Sequence, residues 1–402
     1  MTVIGGLGDQ PGREAPSRAT ALELFFDLVY VFALTRLSSR LVGDFTTQRH
    51  IIVTETGETV VLLLALWLIW ATTAKMTSAH DPRRPLIQVG VFMIMFGSMI
   101  IAVALPHAFG ARGIVFAVTY VAVQVTRSLL LWLAVKGKDR LLPARGLIWS
   151  LASAAPWVIG GVVVPQSPAR KVLWTLAIAM DYTGLALRWP VPGLARTDVS
   201  DLRLTAEHLG ERLQQFIIIA LGESVLVMGM TYSQKFDPAG ALPVALSFTT
   251  TVLIWRIYFY RAGTVLGAAF MAAPRPARFG RDEAYTHLVM VTGIFATGAG
   301  YALVINHPHG RLDPAWLGLI FGGPALFLAG RSRLEYEVFA RVSWSRVVAV
   351  AVLAALVPLM VQLPPIAATG VAVAVLALVA IHDATRGWRN PPEAPSPPAS
   401  HA

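Results

Sequence analysis

A helix that crosses a lipid bilayer needs about 20 mostly apolar residues, and runs of that kind recur from one end of this chain to the other. No polar stretch between them is long enough to build a core of its own. The fold class that follows is an all-α, polytopic integral membrane bundle. Apolar runs and their breaks predict twelve spans: 22–41, 59–75, 86–106, 112–135, 145–164, 171–189, 211–231, 242–260, 284–305, 314–331, 345–363 and 366–383. Only Gln362-Leu363-Pro364-Pro365 separates the last two, a break sharp enough for a hairpin.

Charge supports this reading and gives it a direction. Of the 402 residues, 55% are hydrophobic and 14% charged. Short cytoplasmic loops collect Lys and Arg. When the 33 basic residues are sorted by the spans, 23 fall on the face that carries the N-terminus, seven on the opposite face, and Arg36, Arg127 and Arg256 within spans. Both termini are therefore expected in the cytoplasm. The net charge of +10 belongs beside anionic lipid, so membrane lipids are the expected partners and nucleic acid is not. Met1 to Thr20 hold no apolar signal-peptide core. With no cysteine, the chain has no disulfide, thiolate metal site or cysteine nucleophile. No metal-ligand cluster or phosphate loop is legible, and no cofactor is expected. Thr197 to Arg203, with Asp198 and Asp201 beside arginine, reads as a solvated loop.

The two halves carry matching landmarks. Leu68-Ile69-Trp70 matches Leu253-Ile254-Trp255, Pro106 to Gly110 matches Asn306 to Gly310, Pro156 matches Pro358, and Asp181 matches Asp383, at offsets that drift from about 185 to 202. The expected division is an N-terminal tail (1–20), a first six-helix repeat (21–190), a linker (191–210), a second six-helix repeat of the same orientation (211–385) and a disordered Pro-rich tail (386–402). Parallel repeats are common in transporters, with the working site between them. Glycines such as Gly298, Gly300 and Gly322-Gly323 serve close helix packing, or break helices that line a cavity.

Several carboxylates sit where burial alone would not put them, since an acid inside a span costs roughly 2.5 to 3.5 kcal/mol on insertion scales. Glu23 and Asp27 stand four apart near the start of the first span, so they share a face. Thr20-Ala21-Leu22-Glu23 fits a capping box, which accounts for Glu23; Asp27 lies a turn deeper and needs a partner or a proton. Glu223 lies deep in the seventh span, on one stripe with Gln215 and next to Ser224. Glu211 and Arg212 fit a headgroup anchor. Asp27, Asp181 and Glu223 balance Arg36, Arg127 and Arg256 in number, so mutual pairing would permit insertion, and an acid left without an arginine becomes a proton or cation site. His287 lies near the inner end of the ninth span. Trp67, Trp70, Trp255, Tyr258, Phe259 and Tyr260 mostly fit an interfacial belt.

These motifs resemble the bacterial low temperature requirement protein A family. The likeness runs from about Ala21 to Phe339 and rests on ELFFDLVYVFAL (Glu23 to Leu34), HLGER and IIIALGES (His208 to Ser224), LIWRIYFYR (Leu253 to Arg261), HLVMVTGI (His287 to Ile294) and GGPALFLAG (Gly322 to Gly330). Leu213-Gln214-Gln215 departs from the small, apolar pair usual in the family at this point and adds amides near Glu211. The resemblance implies a multipass protein of the bacterial inner membrane. The first helix is also similar, over a short stretch, to the Phe-Ser-Asp motif of two-repeat, twelve-helix endosomal potassium channels, through Phe26-Asp27 and Thr35.

Two functions of different class are open to such a chain, beside a non-catalytic membrane factor. One moves an ion or small solute, with Asp27, Asp181 and Glu223 as proton or cation sites and Glu23, Arg127, Glu211, Gln215, Ser224, Arg256 and His287 around the path. The other is a membrane-embedded enzyme that uses one of those acids on a lipid or isoprenoid.

Overall fold

A computed structural model of the protein describes residues 19–47, 52–163, 165–193, 203–234, 237–389 and 393–398. Asp198 and Asp201 lie outside the described residues, as do most of the N-terminal tail and part of the linker. The first half consists of α1 (Ala21–Thr47), α2 (Ile52–Ala79), α3 (Pro85–Ala104), α4 (Gly113–Ala134), α5 (Leu141–Val162) and α6 (Pro168–Leu187). The second consists of α7 (Arg203–Gln234), α8 (Ala241–Phe259), the short α9 (Leu266–Ala272), α10 (Pro276–Asn306), the short α11 (Pro314–Ile320), α12 (Gly322–Phe339), α13 (Trp344–Met360) and α14 (Pro365–Arg389). Among the described residues α2, α3, α4, α7, α8, α10 and α14 are long and apolar enough to cross a membrane. The protein is a polytopic helical membrane protein.

The burial pattern is that of a bundle in lipid. On α1, Phe25 and Leu28 are 53% and 61% exposed, whereas Glu23 and Asp27 are 0% and 1% exposed. Apolar side chains thus face outward, where hydrocarbon would solvate them, and the carboxylates face inward, where other side chains can satisfy them. Within the first half α1 packs on α2 and α3, α3 on α4, α4 on α5, α5 on α6, and α6 back on α2. Within the second, α7 packs on α8 and α10, α10 on α12, α12 on α13, α13 on α14, and α14 back on α8. The halves meet where α1 and α2 touch α7 and α10.

The expected span 314–331 is divided. Pro324 has no amide hydrogen and its ring crowds the carbonyl four residues earlier, and the chain breaks there: α11 ends at Ile320 and α12 begins at Gly322. α12 then continues past the expected end, to Phe339. Glycine lets α12 lie directly on α10: a Cβ on Gly293 would come within 2.5 Å of the Phe327 nitrogen and 2.7 Å of the Gly323 oxygen. These glycines serve packing.

Part of the Pro-rich tail expected to be disordered is in place. Ser396 donates its amide to the Val338 carbonyl at 2.8 Å, and Glu393 pairs with Arg341. That guanidinium holds the Glu393 carboxyl below the usual carboxylate range. A lowered value means that the contact is made at neutral pH and lost as pH falls through that value.

Acidification, or Glu393→Gln, is therefore expected to speed amide exchange at Ser396, read by hydrogen–deuterium exchange. Gly293→Val is expected to lower thermal stability in detergent by about 1 to 3 kcal/mol or more through overpacking. Gly370→Ala, on α14 with nothing within 4 Å of the added methyl, leaves stability unchanged or raised.

Candidate functional site

The start of α1 is fixed by the capping box. Thr20 donates its amide and its hydroxyl to Glu23 Oε2, both at 2.9 Å, and the Glu23 amide returns to Thr20 Oγ1 at 3.4 Å. This turns Glu23 and Asp27 toward α7. There Arg212 is wholly buried, and its two terminal nitrogens donate to the two oxygens of Asp27, Nη1 to Oδ2 and Nη2 to Oδ1, each at 2.7 Å. A bidentate fork of this kind is among the strongest side-chain contacts a protein makes. Trp70 of α2 donates Nε1 to Asp27 Oδ1 at 2.9 Å, and Arg212 Nη1 also reaches Gln215 Oε1 at 3.2 Å. His208 Nε2 lies 3.3 Å from Glu23 Oε2, while its Nδ1 meets the Ser78 hydroxyl at 2.9 Å. Three helices are joined here around one arginine.

The pairing differs from the expected one. Asp27 takes Arg212, not Arg36, Arg127 or Arg256. The cause is the length of α7, which starts at Arg203 instead of 211 and so carries Arg212 more than two turns inside, level with Asp27. Arg256 is exposed on α8, with its guanidinium 5.5 Å from the Tyr260 ring centre. The Nε of Arg36 has no hydrogen-bond partner among the described residues. Trp67, Trp70 and Tyr258 are buried instead of lying in an interfacial belt. Glu211 is half-buried and takes no part in the network among the described residues.

Asp181 and Arg127 belong to a second network. Asp181 Oδ2 accepts from the Tyr120 hydroxyl at 2.9 Å and from Trp157 Nε1 at 3.2 Å. Tyr120 in turn accepts from Gln124 Nε2 at 3.0 Å, and Arg127 Nη1 donates to Gln124 Oε1 and, at 2.5 Å, to Thr72 Oγ1. The acid and the arginine are linked through two neutral side chains and do not touch.

Glu223 stands apart from both. It is 1% exposed; Ser38 of α1 donates to its Oε1 at 2.6 Å, and its Oε2 has no hydrogen-bond partner among the described residues. Gly298 of α10 faces that oxygen: a Cβ there would lie 3.4 Å from it. No Lys, Arg or His pairs with Glu223 among the described residues. Ser224 turns back to the Ala220 carbonyl of its own helix at 3.2 Å.

A further group of charges was not legible as a site. Arg346 donates to Glu335 Oε2 at 2.6 Å and to Asp383 Oδ2 at 2.7 Å. Thr286 and Arg333 both donate to Glu337 at 2.8 Å. Glu283 is wholly buried, with His287 Nδ1 3.3 Å from its Oε2, and His287 Nε2 meets the Tyr258 hydroxyl at 2.9 Å. The available signal was the i, i+4 spacing of Arg331 to Glu335 and Arg333 to Glu337, which asks for a helix running past 331. Among the described residues no three His, Asp or Glu side chains are grouped to hold a metal ion.

These positions fall within a recognised sequence family. The profile described as bacterial low temperature requirement A protein (LtrA) matches residues 18–381. The chain belongs to the LtrA family. It is 34% identical to an uncharacterized protein of Rhizobium meliloti (strain 1021) over 375 residues, covering 90% of this chain and 88% of the relative. No solved structure matches it. The LtrA match takes in Glu23, Asp27, Arg212 and Glu223, so both the clamp and the lone carboxylate lie inside the family region.

Removing one partner of a buried ion pair costs about 3 to 5 kcal/mol. Asp27→Asn and Arg212→Gln are each expected to lower stability by that order, and the double variant by less than their sum. Thermal unfolding of the purified protein in detergent measures all three.

Proposed function

We propose that this LtrA-family protein moves a proton or a small cation across the bacterial cytoplasmic membrane, with Glu223 as the binding site inside the bilayer. The observation that carries the reading is the isolation of that carboxylate. It is the twenty-first of the 32 residues of α7, and Ser38 is its one hydrogen-bond partner among the described residues. A buried carboxylate without a counter-charge is expensive, and a proton on it or a cation beside it supplies what the protein does not. Asp27 is held by Arg212 and acts in this reading as the anchor between α1 and α7. Asp181, bonded to neutral donors, and Glu283, whose two oxygens have no hydrogen-bond partner among the described residues, are further acids able to take a proton.

The packing order supports two parallel six-helix halves. Setting α1, α2, α3, α4, α5 and α6 against α7, α8, α10, α12, α13 and α14 reproduces the same sequence of neighbours. Ser38, Glu223 and Gly298 then come from the first helix of each half and from α10, which is where a transporter built of repeats holds its cargo. Twelve crossings with both termini in the cytoplasm go with this arrangement, and the distribution of Lys and Arg favours it.

In proteoliposomes, Glu223→Gln is expected to bring proton, sodium or potassium flux down to that of protein-free vesicles, while Glu223→Asp keeps part of it. Flux of the Gln variant equal to the unsubstituted protein would sink the mechanism.

One observation favours a second reading, an enzyme acting on a lipid or isoprenoid. A cavity walled by Trp67, Trp70, Tyr182 and Tyr285 adjoins Asp27 through the Trp70 indole. Membranes given prenyl or polyprenyl substrates would then form a product that Asp27→Asn abolishes.

A further inference from the structure

The same cavity has a chemical character that neither reading uses. It lies between α2, α6, α7 and α10, encloses about 30 Å³ and is open on one side. Its aromatic wall includes Tyr182 and Tyr285, with ring centres 6.3 Å apart. Two of its lining residues are cationic, Lys75 and Arg281, and none is an acid. Arg188 is near enough to repel Lys75 as Arg281 does. Lys75 has no hydrogen bond or ion pair among the described residues. Arg281 uses its Nε on Asp282 at 3.3 Å and its Nη1 on the Ala186 carbonyl at 3.4 Å, which leaves Nη2 without a partner among the described residues.

Two positive charges on one cavity whose lining holds no acid are a cost, and Asp282 offsets it for Arg281 alone, with no acid paired to Lys75 among the described residues. An anion removes that cost. The space is too small for a whole ligand, holding about two waters by volume, but it fits the terminal oxygens of a group whose remainder extends through the open side along aromatic and leucine surface. A tetrahedral anion carrying more than one acceptor oxygen satisfies a lysine and an arginine at once. Basic pockets between membrane helices hold phosphate headgroups by this means.

We propose that the cavity binds a phosphate group, with Lys75 and Arg281 as its ligands and the aromatic wall against the adjoining part of the molecule. The group is either the headgroup of an anionic lipid or a soluble phosphate or diphosphate. This site is distinct from Glu223 and stands whether or not Glu223 carries ions.

The test uses the full chain in phosphatidylcholine nanodiscs, with the thermal midpoint followed against ligand concentration to give an affinity. One arm adds inorganic phosphate or diphosphate, and the other replaces part of the phosphatidylcholine by phosphatidic acid. The expected result is stabilisation in one arm that Lys75→Gln and Arg281→Gln each weaken about tenfold or more, the scale of one charge-assisted contact, and that Lys75→Arg largely keeps. Stabilisation by the soluble ions identifies a free phosphate; stabilisation by phosphatidic acid alone identifies a lipid headgroup. Without ligand, Lys75→Gln is expected to leave the midpoint unchanged or raised, because it relieves repulsion and breaks no bond; this separates ligand loss from misfolding. Glu223→Gln is expected to bind as the unsubstituted protein does, even where it abolishes flux. No stabilisation in either arm, or stabilisation that both Gln variants keep in full, overturns the proposal.

Discussion

One charge pair organises the centre of this molecule. A membrane offers no water to a buried carboxylate, so Asp27 can exist at its depth only with donors supplied by other helices. Arg212 supplies two and Trp70 a third. Because the fork requires both guanidinium nitrogens to meet both carboxylate oxygens, it sets the rotation of α1 and of α7 together with the depth at which they cross. Glu23 and His208 then come within reach as neighbours on the same two faces. The apolar residues of α1 are left to face outward, which is the pattern seen in Phe25 and Leu28.

Against that background the treatment of the other acids is informative. Asp383 and Glu335 share Arg346, and Glu337 has Arg333. Asp181 is held by neutral donors. Glu223 has a single hydroxyl. Asp27, Glu335, Glu337 and Asp383 thus have an arginine, whereas Asp181 and Glu223 do not. The functional reading rests on Glu223, which has fewer donors than Asp181.

Much of the architecture was legible because lipid imposes simple rules. Eleven of the twelve apolar runs each fall on one helix and the run 314–331 on two, seven helices among the described residues are long and apolar enough to cross a membrane, and the Thr20–Glu23 cap formed as the residue spacing required. Errors arose where one residue changed the length of a helix or the partner of a charge. The interruption expected around Gly322-Gly323 became a full break of the run 314–331 at Pro324, and α12 absorbed Glu335 and Glu337 into the bundle. α7 began early, which moved Arg212 from the headgroups to the interior. Trp70 looks like any interfacial tryptophan in sequence, and only the position of Asp27 opposite it makes it a donor. Charges within spans announce that partners exist; which partners they are depends on how helices distant in sequence are rotated.

The glycine contact between α10 and α12 differs in kind from the joint between α1 and α7. Two backbones that touch at Gly293 and Gly323 have no side chains between them, so shape alone fixes their separation. α1 and α7 are instead joined through a guanidinium and a carboxylate, so one joint of the bundle is steric and the other electrostatic.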